Sequence, residues 1–529
     1  MIKVSVIVPV YNPGKNIRDL VRTVLGQTLP ADEYEVIFVD DGSTDDTPAL
    51  LDELAAEHAN VRVEHTPNSG WPGRPRNIGT DLAQGEYVLY ADNDDWIGKE
   101  ALQRLYDKAK ADDADVVVGK VVGHGKDVAR PIFAANQAGV GLDWEPLVTL
   151  LSPHKLFRRA FLDEQGIRFP EGRRRLEDHV FMVNAYARTR KVSVLADYPC
   201  YHWVRRRRSA SFRRLDPTGY YRDLEEVLDI LDRHVEPGEL RDRLYSNWYR
   251  GKLLRRVGGP AFVRRTEGDE AYSRELFEEI RRVAERRFGD RMEPYLPFSL
   301  RVRSYLLRTG SFEGLLALAA FESQLEARAI GYPRAHGKGL AVRVDLALRG
   351  AEQPLRFERF GDEERPRVRW VPPPGPLRDA LPDEVLDATD DFAASRPGLF
   401  LRSPKTLSEY PVATKGEARL ITDGTVAQAG DARLNPSRAS GGSPLRGGTW
   451  ELHAIADVAG FSAPAQVSRR MASEPMLLRM GADGQLVERK PPKPPAPPPA
   501  PPRLRQRVVG RVPGGPAVWR AVRGGQSRA

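Results

Sequence analysis

Four polar residues, Asp92-Asn93-Asp94-Asp95, follow an apolar run at residues 87–91 that predicts a buried strand. The clustered carboxylates therefore stand at the carboxyl end of that strand. Mg²⁺ and Mn²⁺ prefer oxygen ligands and commonly bind one or two carboxylates together with the phosphates of a substrate. The pattern indicates a divalent-cation site for a nucleotide diphosphate, although an acidic turn alone also fits a solvated strand end or a helix cap.

The composition of the chain limits the classes of protein to which it can belong. For 529 residues, a soft average of about 150 residues per domain predicts roughly three units. The formal net charge of +8 suits a polyanionic partner such as nucleic acid, an acidic membrane face or a phosphate-rich polymer, and it does not choose among them. Cys200 is the single cysteine, so an intramolecular disulfide is excluded.

Two further patterns bear on location. The apolar stretch at residues 1–10 contains Pro9 and lacks both a long apolar core and a small-residue cleavage site, so we interpret it as a strand rather than an export signal. No uninterrupted apolar run of the sequence reaches the roughly 18 residues that a membrane-spanning helix needs. We therefore expect a cytoplasmic protein, with peripheral attachment at the inner face of the membrane as an open alternative.

The first 215 residues alternate strand-like and helix-like patterns. The predicted strands are residues 4–10, 35–40, 61–63, 87–91 and 114–118, and the predicted helices are residues 17–25 and 47–58. This alternation is typical of a parallel α/β sheet that is covered by helices. Because such sheets bind ligands at the carboxyl ends of their strands, we expect Tyr11, Asp41 and Asp92 to lie around one cleft.

The rest of the chain divides into three segments of different character. Residues 216–330 place apolar residues three or four apart, which predicts a helical domain. Within residues 338–487, strict alternation follows Gly339, for example at Leu340, Val342 and Val344, and returns at residues 450–454, which predicts a β-rich, sandwich-like domain. Residues 488–529 combine a proline run, expected to form a stiff spacer, with a basic tail that we expect to be disordered; contact of this tail with anionic lipid or polymer is open.

An ordered set of motifs resembles one known family. The motifs are VIVPVYN at residues 6–12, VDDGSTD at 39–45, NSGWPGRPRN at 68–77, DNDD at 92–95 and ED at 177–178. In type and order they resemble the family 2 inverting glycosyltransferases of the GT-A fold. Residues 68–77 and 151–157 are similar to segments of the subgroup of wall teichoic acid (polyribitol-phosphate) N-acetylglucosaminyltransferases, and the latter segment is expected on the acceptor side. The helical unit also looks like the linker of that subgroup.

The resemblance implies an α/β GT-A nucleotide-diphospho-sugar transferase domain at residues 1–215, with a donor site at its strand ends. Six residues are expected to bind the donor: Pro9, Tyr11, Asp41, Asn68, Arg76 and Asp92. Asp41 is expected to accept a hydrogen bond from the imide nitrogen of uracil, which makes UDP the expected nucleotide. Arg76 is expected to bind sugar hydroxyls or phosphate oxygens through charge-assisted hydrogen bonds. A simple turn at Asp41 and a solvated Arg76 are the structural alternatives.

The resemblance also implies the groups that perform the reaction. Asp94 is the expected ligand of Mn²⁺ or Mg²⁺, which acts as a Lewis acid on the departing UDP. Asp178, with Glu177 beside it, is the expected general base on the face of the sugar opposite the leaving group, so that one displacement gives a β-linked product. The alternative for this acidic pair is a helix start that only favours the helix dipole.

The acceptor side is less clearly marked. Three cationic residues are expected to contact the acceptor: Lys126, Arg206 and Arg207. Their alternative is a solvated basic loop. His179 and His202 are expected to be packed or hydrogen-bonded histidines, and a place for either in the metal site is left open.

These expectations combine into one function and its alternatives. The chain is predicted to be a metal-dependent inverting glycosyltransferase that moves a sugar, GlcNAc or a related hexose, from a UDP-sugar to a hydroxyl of an anionic cell-wall polymer such as teichoic acid. Transfer to an exopolysaccharide or a lipid-linked glycan is one alternative, and a non-catalytic polyanion-binding module is another. Nucleic acid is not expected as a partner, and a homo-oligomer formed through the C-terminal β region is left open.

Overall fold

The computed structural model describes residues 1–206, 214–362, 364–469, 474–481 and 483–489. Arg207, one of the predicted acceptor residues, therefore lies outside the described residues, as does the predicted spacer and tail from residue 490 onward. Within the described ranges, no helix combines the length and the apolar character that crossing a membrane requires.

The first β-sheet and its helices occupy residues 4–204. The strands are β1 (Val4–Val10), β2 (Tyr34–Asp40), β3 (Val61–His65), β4 (Tyr87–Tyr90), β5 (Trp96–Ile97), β6 (Val116–His124), β7 (Gln137–Val140), β8 (Leu156–Arg158) and β9 (Val192–Val204). The helices are α1 (Ile17–Leu25), α2 (Thr47–Glu57), α3 (Gly73–Leu82), α4 (Ala101–Ala111), α5 (Arg159–Glu164) and α6 (Glu177–Ala187). The strand order is β3-β2-β1-β4-β8-β6-β9-β5, and β7 pairs with β9.

The sequence explains one half of this sheet better than the other. β1 and β2 are buried along their whole length, as expected for strands that are covered on both faces. β3, β2, β1 and β4 pair in parallel, which confirms the predicted arrangement there. The other half differs because the short strand β8 lies antiparallel between β4 and β6. The sheet as a whole is therefore mixed, and the prediction of a parallel sheet is wrong for this half.

Residues 217–323 form the helical region that follows. Its helices are α7 (Pro217–His234), α8 (Glu239–Trp248), α9 (Gly259–Gly268), α10 (Glu270–Val283), α11 (Phe298–Arg308) and α12 (Phe312–Ser323). A π-helical turn at Tyr249–Leu253 follows α8. The side chains of Leu224, Val227 and Leu231 in α7 are fully buried, as their helical spacing predicts. α7 packs against α6, so the helical region supports the helix on which Glu177 and Asp178 lie.

The second β-sheet lies within residues 325–489. Its strands are β10 (Leu325–His336), β11 (Gly339–Gly350), β14 (Gly398–Arg402), β15 (Glu409–Val412), β16 (Thr414–Leu420), β17 (Val426–Leu434), β18 (Thr449–Val458), β19 (Phe461–Arg469), β20 (Leu477–Met480) and β21 (Leu486–Arg489). A separate hairpin, β12 (Arg356–Phe360) and β13 (Arg367–Val371), precedes two short helices, α13 (Pro376–Asp379) and α14 (Thr389–Ala394). β18 alternates half-buried and buried residues along its length, as the sequence pattern predicts.

This second sheet folds over on itself. The side chain of Gln428 in β17 donates a hydrogen bond to the backbone oxygen of Asp457 in β18. It also accepts one from the backbone N–H of Asp457 at 3.1 Å. Because β19, β10 and β11 separate these two strands in the sheet order, the contact requires the sheet to curl until its two ends face each other. This agrees with the predicted sandwich-like region.

Candidate active site

The carboxyl ends of β1, β2 and β4 meet at one edge of the first sheet, because these strands are parallel neighbours. The side-chain amide of Asn93, just after β4, donates to the carbonyl oxygen of Pro9 at 3.0 Å. The backbone N–H of Asp41, just after β2, donates to the carbonyl oxygen of Val10 at 2.8 Å. The three predicted motif segments are therefore joined directly at this edge.

Asp92 is held by two basic side chains from different elements. Nη2 of Arg76, in α3, donates to Asp92 Oδ1 at 2.8 Å, and Nε2 of His154 lies 3.0 Å from Asp92 Oδ2. Both basic side chains are buried, with 5% and 3% of their surface exposed. Although burial disfavours the charged carboxylate, His154 and Arg76 together bring the pKa of Asp92 below its ordinary value. Asp92 is thus an ionised carboxylate with a partner on each oxygen.

Asp95 fixes the acidic turn to β9 from the buried side. Its Oδ2 accepts a hydrogen bond from the Tyr201 hydroxyl at 2.7 Å, and its Oδ1 accepts one from the backbone N–H of Val204 at 2.7 Å. The same hydroxyl accepts a hydrogen bond from the backbone N–H of Asp92 at 3.0 Å. Burial, together with the neighbouring Asp92, raises the pKa of Asp95 to about 8. These contacts make Asp95 a residue that positions the turn.

Two sets of side chains at the turn could bind a divalent cation. Asp92, Asp95 and His154 offer ligand atoms that lie within 4.8 Å of one another. Their chemistry fits a cation poorly, because every oxygen of the two carboxylates already faces a donor or a basic nitrogen of the protein.

Asp94 fits a cation better. Across the part of the chain that the structure describes, its carboxylate receives no hydrogen bond from another side chain, and Arg206 donates to its backbone oxygen at 3.1 Å instead. Burial, and then the nearby Asp92, raise the pKa of Asp94, although the charges of Lys126 and Arg206 oppose them. Within the described residues neither cation forms an ion pair with this carboxylate, so a close cationic partner is missing. A bound cation with phosphate ligands would supply that partner.

Glu177 and Asp178 begin α6, directly after Leu176, whose φ of 58° lies in the left-handed region. Nη1 of Arg76 lies 3.6 Å from Glu177 Oε1, so one guanidinium stands between Asp92 and Glu177. Oδ1 of Asp178 accepts a hydrogen bond from the backbone N–H of His179 at 2.8 Å. Burial, and then the charge of Glu177, raise the pKa of Asp178 to about 7. A carboxylate with such a pKa is suited to accept a proton near neutral pH.

The predicted nucleobase side of the cleft lies at the ends of β1 and β2. The ring of Tyr11 is half exposed and Pro9 is buried within β1. The side-chain amide of Asn68 donates to the backbone oxygen of Asp41 at 2.7 Å and to its Oδ2 at 3.3 Å. The backbone N–H of Ser69 donates to Asp41 Oδ1 at 2.9 Å. Asn68 therefore holds the loop around Asp41. Of the two carboxylate oxygens of Asp41, Oδ2 accepts the longer hydrogen bond.

The two histidines considered for the metal site have other partners. Nδ1 of His179 accepts a hydrogen bond from the indole N–H of Trp248 at 3.1 Å. Nδ1 of His202 lies 3.0 Å from Nε2 of His124, and burial lowers the pKa of His202 to about 4. Both are hydrogen-bonded side chains, as expected from the sequence.

The predicted acceptor residues within the described ranges lie beside the acidic turn. The amine of Lys126 lies 3.9 Å from the centroid of the Trp203 ring. Burial lowers the pKa of Lys126, and the charges of Asp95, Asp92 and Asp94 oppose that effect. Arg206 reaches the same turn through its contact with the backbone of Asp94.

Three residues of this site were not predicted as individual members: His154, Tyr201 and Lys155. The ring of His154 stacks on that of Tyr201 with centroids 4.2 Å apart. Lys155 is buried, donates to the backbone oxygen of Ser152, and has a pKa lowered by burial to about 7. His154 contacts the predicted donor residue Asp92, whereas the sequence predicted its segment on the acceptor side. The polar pair His154-Lys155 within an apolar segment is the only local signal of this role.

Two family models match successive parts of the chain. The family model described as glycosyl transferase family 2 matches residues 5–176. A second model, described as the glycosyl transferase TarS linker domain, matches residues 217–319. The two matches fall on the first sheet and on the helical region, respectively.

Individual relatives are similar to parts of the chain. The poly(ribitol-phosphate) beta-glucosyltransferase of Bacillus spizizenii is 38% identical over 232 residues, which are 43% of this chain and 37% of that enzyme. The glycosyltransferase GlyG of Streptococcus pneumoniae is 31% identical over 244 residues, which are 42% of this chain and 77% of that protein. The crystal structure of S. aureus TarS residues 1–349 in complex with UDP-GlcNAc superposes with a TM-score of 0.52 and 26% identity, over 60% of this chain and 91% of that one. The match thus spans less than half of the Bacillus enzyme.

Proposed function

Because this chain belongs to glycosyl transferase family 2, we propose that it is a metal-dependent inverting glycosyltransferase. The proposed donor is a UDP-sugar that carries GlcNAc or a related hexose, and the proposed acceptor is a hydroxyl of an anionic polyol-phosphate polymer such as teichoic acid. The Bacillus relative, which is named for a poly(ribitol-phosphate) acceptor, and the UDP-GlcNAc in the TarS crystal structure support this choice. The net charge of +8 is also suited to an anionic acceptor.

The placement of Arg76 carries the proposal. Its guanidinium bonds Asp92 at 2.8 Å and lies 3.6 Å from Glu177, so it links the acidic turn to the start of α6, where Asp178 lies. Within the described ranges, Nε and Nη1 of this buried side chain have no hydrogen-bond partner. Buried donors without partners are costly, and phosphate or sugar oxygens of a bound donor would satisfy them.

The proposed reaction is a single displacement. The acceptor hydroxyl oxygen attacks the anomeric carbon as the bond from that carbon to the UDP oxygen breaks, and the electron pair of that bond leaves with UDP. Asp178 takes the hydroxyl proton. Its Oδ1 is held by the backbone N–H of His179, which orients the carboxylate at the start of α6. Arg76 stabilises the negative charge on the departing phosphates through its unpartnered N–H groups.

Asp94 is the proposed ligand of a divalent cation, together with phosphate oxygens of the donor. When bound, Mn²⁺ or Mg²⁺ supplies Lewis-acid stabilisation of the departing diphosphate. Asp92 stays a proposed donor-binding residue beside this cation, whereas Asp95 holds the turn through its hydrogen bonds to β9.

The test is release of UDP by the purified full chain. UDP-GlcNAc and UDP-glucose are each supplied with a ribitol-phosphate oligomer or a neutral glycan, in Mn²⁺, Mg²⁺ or EDTA. We expect metal-dependent release of UDP, and we expect the ribitol-phosphate oligomer to accelerate it. NMR of the product should show a β-linkage. Absence of turnover with any UDP-sugar would instead favour the non-catalytic polyanion-binding module, and acceleration by the neutral glycan alone would contradict the proposed acceptor.

A matched pair of variants addresses the base. Asp178→Asn should lower transfer by about a hundredfold to ten-thousandfold, the usual contribution of a general base. Asp143→Asn is the control, because Asp143 is a solvent-exposed aspartate in a surface ion pair. Equal rates for the two variants would contradict the role of Asp178.

The remaining parts of the proposal concern organisation and location. We propose a transferase domain at residues 1–215, a linker domain at 216–330 and a β-rich domain at 338–487. The cytoplasmic location, contact with an anionic membrane and a homo-oligomer through the second sheet stay predictions.

A further inference from the structure

A cavity of about 290 Å³ lies between the two large sheets, beside the candidate active site. Its lining comes from β6 and the loop after it on one side, and from β14, β15 and the loop between them on the other. The lining includes Lys120, Lys126, Asp127, Arg130, Phe400, Arg402 and Glu409.

Direct contacts hold the two walls of this cavity together. The buried amine of Lys120 donates to the backbone oxygen of Glu409 at 2.6 Å. Nε of Arg130 donates to the carboxylate of Glu409 at 2.5 Å. At a separate point, the hydroxyl of Ser443 donates to the carboxylate of Asp197 at 2.7 Å. The cavity is therefore a feature that the packing of the second sheet on the first creates.

The cavity carries an excess of positive charge. Its charged lining consists of Lys120, Lys126, Arg130 and Arg402, against the carboxylates of Asp127 and Glu409. Burial lowers the pKa of Lys120 to about 7, but the three other cations alone outnumber the two carboxylates. Glu409 is already engaged by Arg130 and lies 3.8 Å from Arg402. The side chain of Arg402 is 37% exposed, so the charge is accessible from solvent.

Lys126 connects this cavity to the acidic turn. It lines the cavity, and its charge interacts with those of Asp92, Asp94 and Asp95. Its amine lies over the ring of Trp203, and the next residue, Val204, donates to Asp95. On the opposite wall the ring of Phe400 is buried; it stacks on His453 with centroids 5.2 Å apart, and the guanidinium carbon of Arg130 lies 4.1 Å from its centroid. A chain that enters from the active site thus meets first Lys126 and then Arg402, the cation of the opposite wall.

We propose that this cavity binds a phosphodiester group of the acceptor polymer, away from the hydroxyl that receives the sugar. The inference rests on the proposed function and adds the path of the polymer, along which the second sheet supplies part of the acceptor site. Lys126 and Arg402 bind the phosphate oxygens through charge-assisted hydrogen bonds. A neutral glycan has no negative charge with which these cations could pair.

Equilibrium binding of a fluorescent ribitol-phosphate oligomer to the full chain tests this assignment. Arg402→Gln removes the exposed charge, and Arg402→Lys retains it. The matched control is Arg419→Gln, because Arg419 also lies in the second sheet, pairs with a glutamate and is 73% exposed. Inorganic phosphate and dextran serve as competitors, and UDP affinity and the unfolding midpoint of each variant report on the fold.

We expect Arg402→Gln to weaken oligomer binding by about tenfold to a hundredfold, the loss of one charge-assisted hydrogen bond. Arg402→Lys should recover most of that affinity, Arg419→Gln should bind the oligomer like the wild type, and dextran should not compete. Equal binding by Arg402→Gln and Arg419→Gln overturns the assignment, as does competition by dextran. The assignment is also overturned if inorganic phosphate competes as strongly as unlabelled oligomer at the same phosphate concentration. The site would then recognise phosphate without the polymer.

The two proposals fail in different ways. A wild-type protein that binds the oligomer more tightly than Arg402→Gln does, yet releases no UDP, supports the cavity assignment and contradicts the proposed activity. A protein that transfers sugar while all variants bind the oligomer equally contradicts only the cavity assignment.

Discussion

Replacing Glu177 by glutamine removes the charge that, after burial, contributes most to the raised pKa of Asp178. A carboxyl with a raised pKa keeps its proton to a higher pH, so Asp178, the proposed base, becomes protonated as the pH falls through about 7. Loss of the neighbouring negative charge favours ionisation of Asp178. We therefore expect the acidic limb of the rate profile of Glu177→Gln to lie at a lower pH than that of the wild type.

The size of this effect follows from the ionised fraction of Asp178. With a pKa of about 7, the rate at pH 6 should be roughly 0.1 of the rate at pH 8 if ionised Asp178 is required. A fall of the pKa to about 6, a free-energy change of about 1.4 kcal/mol, raises that ratio to about 0.5. The expected gain in relative rate at pH 6 is thus roughly fivefold.

The assay is the initial rate of UDP release at saturating donor, with kcat/KM for the acceptor measured from pH 5.5 to 9. Because Glu177 also faces Arg76, the donor KM is measured in parallel. Glu164→Gln serves as the control, since Glu164 is an exposed residue at the end of α5. A wild-type limb near the ordinary pKa of aspartate, or identical limbs for Glu177→Gln and the wild type, would refute the reasoning.

Three further substitutions have defined outcomes. Asp94→Asn should lower kcat/KM by about a hundredfold or more, the cost of losing one electrostatic stabiliser, and should abolish the Mn²⁺ dependence of UDP-sugar binding in calorimetry. Tyr201→Phe deletes a donor to buried Asp95 and should destabilise the protein by about 1–3 kcal/mol in urea unfolding; an unchanged midpoint would contradict that role. Gly79→Ala places a Cβ 2.3 Å from a methyl group of Ile7 and should cost about 1–3 kcal/mol in the same measurement, whereas a neutral result would show that α3 can shift away from β1.

The sequence predicts the strands and helices of this fold where the signal is local. β1 and α1 have the predicted bounds, because a continuous apolar run and a helical spacing of apolar residues each report their own element. β8 has only three residues, and its antiparallel place between β4 and β6 depends on partners distant in sequence. The mixed half of the sheet therefore could not be derived from periodicity.

The same limit applies to the candidate site. The motif residues Asp92, Arg76 and Glu177 lie together as expected, because strand ends and the start of a helix converge on the cleft. The buried partners that hold Asp92, namely His154 and the hydroxyl of Tyr201, come from the segment just before β8 and from β9, and they become neighbours only after folding. The raised pKa of Asp178 likewise depends on burial, which a sequence motif does not report.

The contact between Lys120 and Glu409 makes the protonation state of a lysine in the first sheet depend on the second sheet. Within the cavity wall, the Lys120 amine lies 4.0 Å from the centroid of the Tyr410 ring and is almost completely buried, and its pKa is about 7. A fragment cut before β10 would expose this amine to water and let it gain a full proton near neutral pH, because burial is the main cause of its low pKa. An exchanged carboxyl-terminal module would have to supply equivalents of the Glu409 carbonyl oxygen and the Tyr410 ring to keep this amine buried and bonded.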